Sequence, residues 1–250
     1  PYCQSIVPLH AKHDRGRHFE VLLRLAEADG PILPPAEFIA AAERYQLGPR
    51  LDRHVVDLVL DWMEQHPEAT DGTGMCCINL GGGTLVDDEF RDALHARLRR
   101  GLFPPDRLCF EITETSVARD RARAQRFIGR MRELGCRFAL DDFGTGFCSF
   151  SYLRDLDVDF LKIDGSFVRD MDASPLAAAV VRSITDIAHV LDKCAIAEHV
   201  EDMRQHEALS RIGVDYVQGH AIDRPVPIDE YFAHAGPRSI AAFAASPSRP

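Results

Sequence analysis

The chain has 250 residues, 46% of them apolar and 27% charged, which is enough to bury the core of one large domain or of two small ones. Its net charge of -10 excludes a nucleic-acid duplex or an anionic membrane surface as the main partner, but not an anionic small molecule held through cations. The seven cysteines (Cys3, Cys76, Cys77, Cys109, Cys136, Cys148 and Cys194) are odd in number, contain no CxxC and fall mostly in apolar runs, so they are expected to be buried free thiols in a reducing, cytoplasmic setting.

Along the chain, CQSIVPL (3–9) and HFEVLLRL (18–25) have the composition of strands. The opening without methionine, almost directly into a strand, is expected of a fragment of a longer protein. PAEFIAAAERYQL (35–47) and LDRHVVDLVLDWMEQH (51–66) repeat their apolar residues at helical spacing. MCCIN (75–79) reads as a strand, DDEFRDALHARLRR (87–100) as a helix and RLCFE (107–111) as a strand. Residues 116–134 are locally basic, and Val117, Phe127, Ile128, Met131 and Leu134 predict a helix that turns this stripe to the core and its arginines to solvent. RFALD (137–141) and DFLKID (159–164) follow as strands. The helix predicted over 175–192 has Ser174 as cap and Pro175 in its first turn, and its LAAAVV stretch falls far short of the roughly 20 apolar residues that span a bilayer. No signal-peptide pattern opens the chain. CAIAE (194–198) and VDYVQ (214–218) complete the strands, and from about Gly236 a Pro/Ser/Ala-rich tail (236–250) is expected to be poorly ordered outside a single domain of residues 1–235.

Strand alternating with helix implies parallel strands joined by right-handed crossovers, and eight such strands suffice to close a barrel. Periodicity alone fits an open doubly wound sheet as well. The polar residues at the strand ends favour the barrel, an α/β fold of the TIM (β/α)8 type, because there the carboxyl ends of all strands converge on one mouth. Asn79, Glu111, Asp141, Lys162, Glu198 and Gln218 hold that position at spacings of 32, 30, 21, 36 and 20 residues, the length of successive strand–helix units. The Asp-Phe-Gly at 142–144 also occurs in protein kinases, but none of the other kinase motifs accompanies it. NLGGG (79–83) lacks the spacing of a phosphate loop and reads as a flexible turn.

Glu20, Glu111, Asp141, Asp142 and Glu198 bring five carboxylates to that mouth, with Asn79 among them. Like charges so close cannot all remain ionised unless cations neutralise them, and hard oxygen donors suit Mg²⁺ or Mn²⁺. Adjacent aspartates allow one carboxylate to bridge two metals, an arrangement that activates water and clamps a phosphoryl group. Lys162 adds a positive charge able to hold an attacking water or to neutralise charge on phosphorus. The plainer readings are that a strand-end carboxylate caps the next helix, that Lys162 pairs with Asp164, and that His199, beside Glu198 and so on the opposite face, packs. An enolase-type barrel with a lysine base is a further reading, which the doubled aspartate and Asn79 fit less well.

In their order, FEVLLRL, INL, FEITET, LDDFGTGFCSFSYL, DFLKIDGSFV, AEHVE and VQGHAIDRPVP resemble the successive motifs of the EAL-domain cyclic-di-GMP phosphodiesterases, from about Gln4 to Pro227. The resemblance implies hydrolysis of cyclic-di-GMP to linear pGpG with Mg²⁺ or Mn²⁺. It implies that Glu20, Asn79, Glu111 and Asp141 bind one metal and that Asp141, Asp142 and Glu198 bind the second. Lys162 would position the attacking water, Glu198 is also a candidate general base, and Gln218 would complete the hydrogen bonds around that water. Arg24 would meet a substrate phosphate and Gln4 the nucleotide. Glu114 would hold the loop after Asp142, and Glu201 would support the base of the site. The family's members often dimerise near that loop and sit behind sensory or GGDEF domains. The departures are Val21 within the signature, Ser5 where proline is usual, His199 for glycine and Asp202 for threonine; no implied metal or water ligand is missing. An inactive EAL module acting as a cyclic-di-GMP receptor is the alternative expectation.

Overall fold

Alternation along one strand explains how the chain builds two cores at once. In β6 (Thr73–Leu80), Cys76, Ile78 and Leu80 join the large apolar cluster under the helices, whereas Met75 and Cys77 belong to a second, smaller cluster. That smaller cluster draws Cys109, Ala139, Phe160, Ile196 and Tyr216 from five other strands and Ile6 from the first segment. A period of two sends these residues to the inner face of a closed sheet. Cysteine and alanine leave room there for the two aromatic rings, so the interior is filled rather than hollow.

In the computed structural model, which describes residues 1–10, 13, 16–26, 32–33, 35–101, 103–145 and 153–233, the remaining strands are β1 (Tyr2–Ser5), β2 (Val7–Pro8), β3 (Arg17–Leu22), β4 (Leu25–Ala26), β5 (Ile32–Leu33), β7 (Leu108–Thr113), β8 (Arg137–Phe143), β9 (Phe160–Ile163), β10 (Cys194–Ala197), β11 (Tyr216–Val217) and β12 (Val226–Pro227). The order within the main sheet is β12-β1-β3-β6-β7-β8-β9-β10-β11-β2. Because β1 and β2 flank Ile6 in one continuous segment, pairing β1 with β3 and β2 with β11 closes the ring. The fold is therefore an α/β barrel of modified TIM type, with the eight strands that the sequence pattern marks.

The closing segment departs from the parallel arrangement expected of every strand. It runs antiparallel to both neighbours. Residues 9–16 alone join β2 to β3, too few for a crossover, which needs a dozen or more residues, so the chain turns back on itself. Two predicted elements are shorter than expected: HFEVLLRL leaves the sheet after Leu22, and VDYVQ contributes only Tyr216 and Val217.

The helices lie outside the strands and turn their apolar faces inward. Val55, Val56, Val59, Leu60 and Met63 of the Gly48–Gln65 helix are buried, as are Val181, Ile184 and Ala188 of the Pro175–Val190 helix. Ser174 accepts a hydrogen bond from Ala177 N at 3.2 Å, the predicted cap. The single helix expected over 116–134 is two, Glu114–Arg119 and Arg121–Arg132. The break falls at Asp120, whose carboxylate caps the second helix through Arg123 N at 3.0 Å. Phe127, Ile128 and Met131 are buried as the stripe requires. Among the described residues no helix is long and apolar enough to cross a membrane, and Cys3, Cys76, Cys77, Cys109, Cys136 and Cys194 are in no disulfide. The tail at 236–250 and residues 146–152 lie outside the described residues.

Candidate active site

At the carboxyl ends of the parallel strands the same inward positions become polar. Glu20 on β3, Glu111 on β7, Asp141 on β8 and Lys162 on β9 share the inner face with His18, Cys109, Ala139 and Phe160, two residues earlier on their strands. Glu198 and Gln218 follow Ala197 and Val217 at the ends of β10 and β11. Asn79 Nδ2 donates to Glu20 Oε1 at 2.6 Å, and Gln218 Nε2 donates to Glu20 Oε2 at 2.7 Å and to Gln4 Oε1 at 3.1 Å. Gln4 Nε2 in turn donates to the Asp223 carbonyl at 2.9 Å.

Lys162 is the centre of this mouth. Its Nζ lies 2.6 Å from Glu111, 2.7 Å from Glu198, 3.3 Å from Asp141 and 3.7 Å from Glu20, and its side chain is 1% exposed. Burial alone would lower its pKa, but Asp141, Glu111, Glu198 and Glu20 together hold it well above the usual lysine value. One ammonium cannot satisfy every carboxylate. Burial would also raise Glu20, yet Lys162 and the bonds from Gln218 and Asn79 leave it below its usual value. Burial and the charge of Glu20 push Glu111 well above the carboxylate range. Burial, with Asp141 and Glu20 nearby, takes Glu198 up to about 8 against the pull of Lys162. The plainer alternative, a pair of Lys162 with Asp164, does not form: Asp164 caps the Gly165–Asp170 helix through Ser166 N at 2.9 Å.

Two adjacent residues of a regular strand point to opposite faces, so Asp141 and Asp142 could not both reach the mouth without a local irregularity. The β8–β9 register shifts between Leu140 and Phe143, and Asp142 takes φ 55°, a left-handed conformation that aspartate tolerates. The bulge brings Asp141, Asp142 and Glu198 together, with one carboxylate oxygen from each lying within 4.8 Å of the others. Burial, Asp141 and Asp164 raise Asp142. Beyond the bulge, Gly144 at φ 102° donates its N–H to Glu114 Oε2 at 3.4 Å. Gly146, the other glycine of that loop, lies outside the described residues.

The donor set fits divalent cations. Five carboxylates face one ammonium, and the buried Glu111 Oε1 and Gln218 Oε1 have no hydrogen-bond partner among the described residues. An orphaned carboxylate oxygen in a crowded oxygen-lined mouth is satisfied by a hard cation.

The other predicted residues lie around this core. Arg24, just beyond β3, donates to the Leu23 carbonyl at 2.9 Å with its guanidinium 5.8 Å from the Tyr2 ring. Glu201 is exposed, and it is its backbone N–H that donates to Gln205 Oε1 at 2.7 Å. Asp202 caps the Met203–Ile212 helix, accepting from Arg204 N and Gln205 N, both at 2.9 Å, a role threonine also fills. His199 is exposed with φ 53°, and a Cβ at Gly165 would run into its ring. Asp223 is a residue the sequence reading passed over. Its carboxylate accepts from Ser5 N at 3.1 Å and Ser5 Oγ at 2.6 Å, fastening β1 beside Gln4. Its place inside the VQGHAIDRPVP stretch was the only available signal.

Residues 1–225 match the family model described as EAL domain. The chain is 40% identical over 230 residues to the cyclic di-GMP phosphodiesterase PdeB of Shewanella oneidensis, covering 92% of this chain and 27% of that protein. It is 34% identical over 221 residues to the probable cyclic di-GMP phosphodiesterase PdeA of Escherichia coli, covering 88% and 30%. The chain thus spans less than a third of the length of these relatives. Among solved structures, the PaMucR phosphodiesterase in complex with c-di-GMP superposes with a TM-score of 0.83 at 27% identity, over 92% of both chains. The FimX EAL domain of Pseudomonas aeruginosa bound to c-di-GMP gives 0.81 at 28%, over 90% of this chain and 89% of that one.

Proposed function

The chain belongs to the EAL domain family, and from that premise we propose that it hydrolyses one phosphodiester bond of cyclic-di-GMP to give linear pGpG. The observation that carries the reading is the mouth itself: five carboxylates and Asn79 gathered about one buried lysine, with Asp141, Asp142 and Glu198 grouped within 4.8 Å. Glu20, Asn79, Glu111 and Asp141 would hold one Mg²⁺ or Mn²⁺, and Asp141, Asp142 and Glu198 a second. When bound, such cations lower the pKa of water and offset charge building on phosphorus.

The chain's own groups then divide the remaining work. Lys162, fixed by Glu111 and Glu198, hydrogen-bonds the attacking oxygen. Glu198, 2.7 Å from Lys162 Nζ and so beside the same oxygen, is placed to accept the proton that oxygen sheds. Gln218 orients the same oxygen through the network that joins Gln4 to Glu20. Arg24 meets a phosphate and Gln4 the nucleotide. Water adds to phosphorus, one ribose–phosphate bond breaks, and the freed ribose oxygen is protonated. Glu114 holds the start of the loop after Asp142 through the Gly144 N–H, and Glu201 supports the base of the site.

The same reading covers context. The unit at 1–235 would act as one EAL module, with 236–250 as a tail. It would work in the cytoplasm as a homodimer, behind a sensory or GGDEF domain in a longer protein that could be membrane-anchored elsewhere. Incubating the purified chain with cyclic-di-GMP and Mg²⁺ or Mn²⁺ should yield pGpG by chromatography. Binding without turnover would replace the enzyme by a cyclic-di-GMP receptor, and neither binding nor turnover would remove both readings.

A further inference from the structure

At the opposite end of the barrel a second set of donors converges. Cys194 opens β10, Asp215 immediately precedes β11, and His13 stands in the connection between β2 and β3. One ligand atom from each lies within 4.8 Å of the other two. His13 Nε2 is 3.2 Å from Asp215 Oδ1. The other oxygen, Oδ2, is held by His189 Nε2 at 2.8 Å and by Ala195 N–H at 2.9 Å.

We propose that His13, Cys194 and Asp215 form a transition-metal site, selective for Zn²⁺, that is separate from the mouth and staples the closing seam of the barrel. Zinc bonds of about 2.0–2.3 Å in a tetrahedron place neighbouring ligand atoms roughly 3.3–3.7 Å apart, so the His13–Asp215 spacing already fits and the thiol has at most about an ångström to close. The chemistry separates the two ends: imidazole, thiolate and carboxylate suit Zn²⁺, whereas the all-oxygen mouth suits Mg²⁺ or Mn²⁺. Asp215 is 2% exposed, and the bonds to its outer oxygen fix its orientation in the way partners of metal-bound carboxylates do. His13 and Cys194 are only half-buried, so an ion can reach the site, and water completes its coordination. Binding releases the Cys194 thiol proton to solvent and leaves the imidazole proton of His13 on Nδ1.

The location gives the metal a task. The β2–β11 ladder pairs only Tyr216 with Pro8 and Val217 with Val7, as short as the two-pair β10–β11 ladder beside it, and Leu9 N–H reaches the Asp215 carbonyl at 2.8 Å. A cation shared by β10, the start of β11 and the β2–β3 connection ties these segments together across the two shortest ladders of the ring. Amino ends of barrel strands serve stability rather than chemistry.

The test is titration of the EDTA-stripped chain with Co²⁺, followed by Zn²⁺. A near-ultraviolet thiolate-to-cobalt band that saturates at one equivalent, and is bleached by Zn²⁺, is expected. Cys194→Ser should abolish the band, His13→Ala should weaken Co²⁺ binding at least about tenfold, and Glu20→Ala at the mouth should leave the band unchanged. Zn²⁺ should raise the melting temperature of the parent chain and not that of Cys194→Ser. Absence of the band, or its survival in Cys194→Ser, would overturn the site. So would equal Zn²⁺ stabilisation of parent and variant, which would leave the cluster as a histidine–aspartate lock. If Cys194→Ser loses its circular-dichroism spectrum, His13→Ala decides the question by its affinity, and each outcome is independent of phosphodiesterase activity.

Discussion

Lys162→Met removes an ammonium and almost nothing else. The ammonium lies within 2.6 to 3.7 Å of four carboxylates in a place from which water is excluded. At an effective dielectric of about 20, each contact made with an ionised carboxylate represents roughly 4–6 kcal/mol of attraction before desolvation is subtracted. Stripping one partner from a buried ion pair has a net cost of about 3–5 kcal/mol, because the charge left behind is uncompensated. For a domain of this size that corresponds to a fall in Tm of roughly 6–20 °C. The cost should depend on pH. Glu111 and Glu198 already hold protons more tightly than an unfolded chain does, and losing the ammonium strengthens that bias. A carboxylate whose folded pKa exceeds its unfolded value stabilises below the unfolded value and loses that contribution as pH rises through the folded one. The deficit of the variant should therefore be largest above about pH 8 and shrink towards about pH 5. Added Mg²⁺ or Mn²⁺ should recover part of it by replacing the missing charge. Thermal melts of parent and variant in EDTA, with and without restored cation, test this. A variant melting within about 2 °C of the parent in EDTA, or a deficit indifferent to cation, would refute the view that Lys162 neutralises this mouth.

Three further outcomes are expected. Glu20→Ala should abolish cation-dependent production of pGpG, since Glu20 joins Asn79 and Gln218; unchanged turnover would remove it from the ligand set. Burial, with Arg137 nearby, depresses His18 to about 4, so between about pH 6.5 and 4 the unfolded chain binds the extra proton and stability falls as pH falls. Urea unfolding at the two ends of that window should show a loss of roughly 3 kcal/mol in the parent that His18→Phe lacks, and an equal loss in both would assign it to other groups. Asp202→Ala should lower stability by uncapping the Met203–Ile212 helix, whereas Asp202→Thr should be near neutral in the same unfolding assay.

Much of the site was legible because a barrel turns a one-dimensional spacing into a shared mouth. The polar strand ends and their spacing singled out Asn79, Glu111, Asp141, Lys162, Glu198 and Gln218 as candidates, and the closed sheet places all six at one end. What escaped is set by contacts distant in sequence or by single backbone angles. The reversal of β1 and β2 follows from the shortness of the β2–β3 connection and from closure against β11, more than two hundred residues away in the case of Val7 and Val217. The partner of Lys162 depended on which nearby carboxylate the capping role of Asp164 left available. Asp223 holds Ser5 across 218 residues, a pairing that no local pattern encodes.

The left-handed backbone at Asp142 narrows what position 142 can be. Glycine would accept the angle and offer no oxygen. Asparagine would accept it with an uncharged amide, and glutamate, longer by a methylene, loses the short side chain that makes aspartate tolerant of such angles. Valine or isoleucine would resist the angle and also break the bulge. If two cations need a carboxylate here, aspartate alone meets both demands. A variant chosen for a better backbone would then lose charge, and one chosen for charge would strain the turn, so neutral drift at this position is closed from both sides.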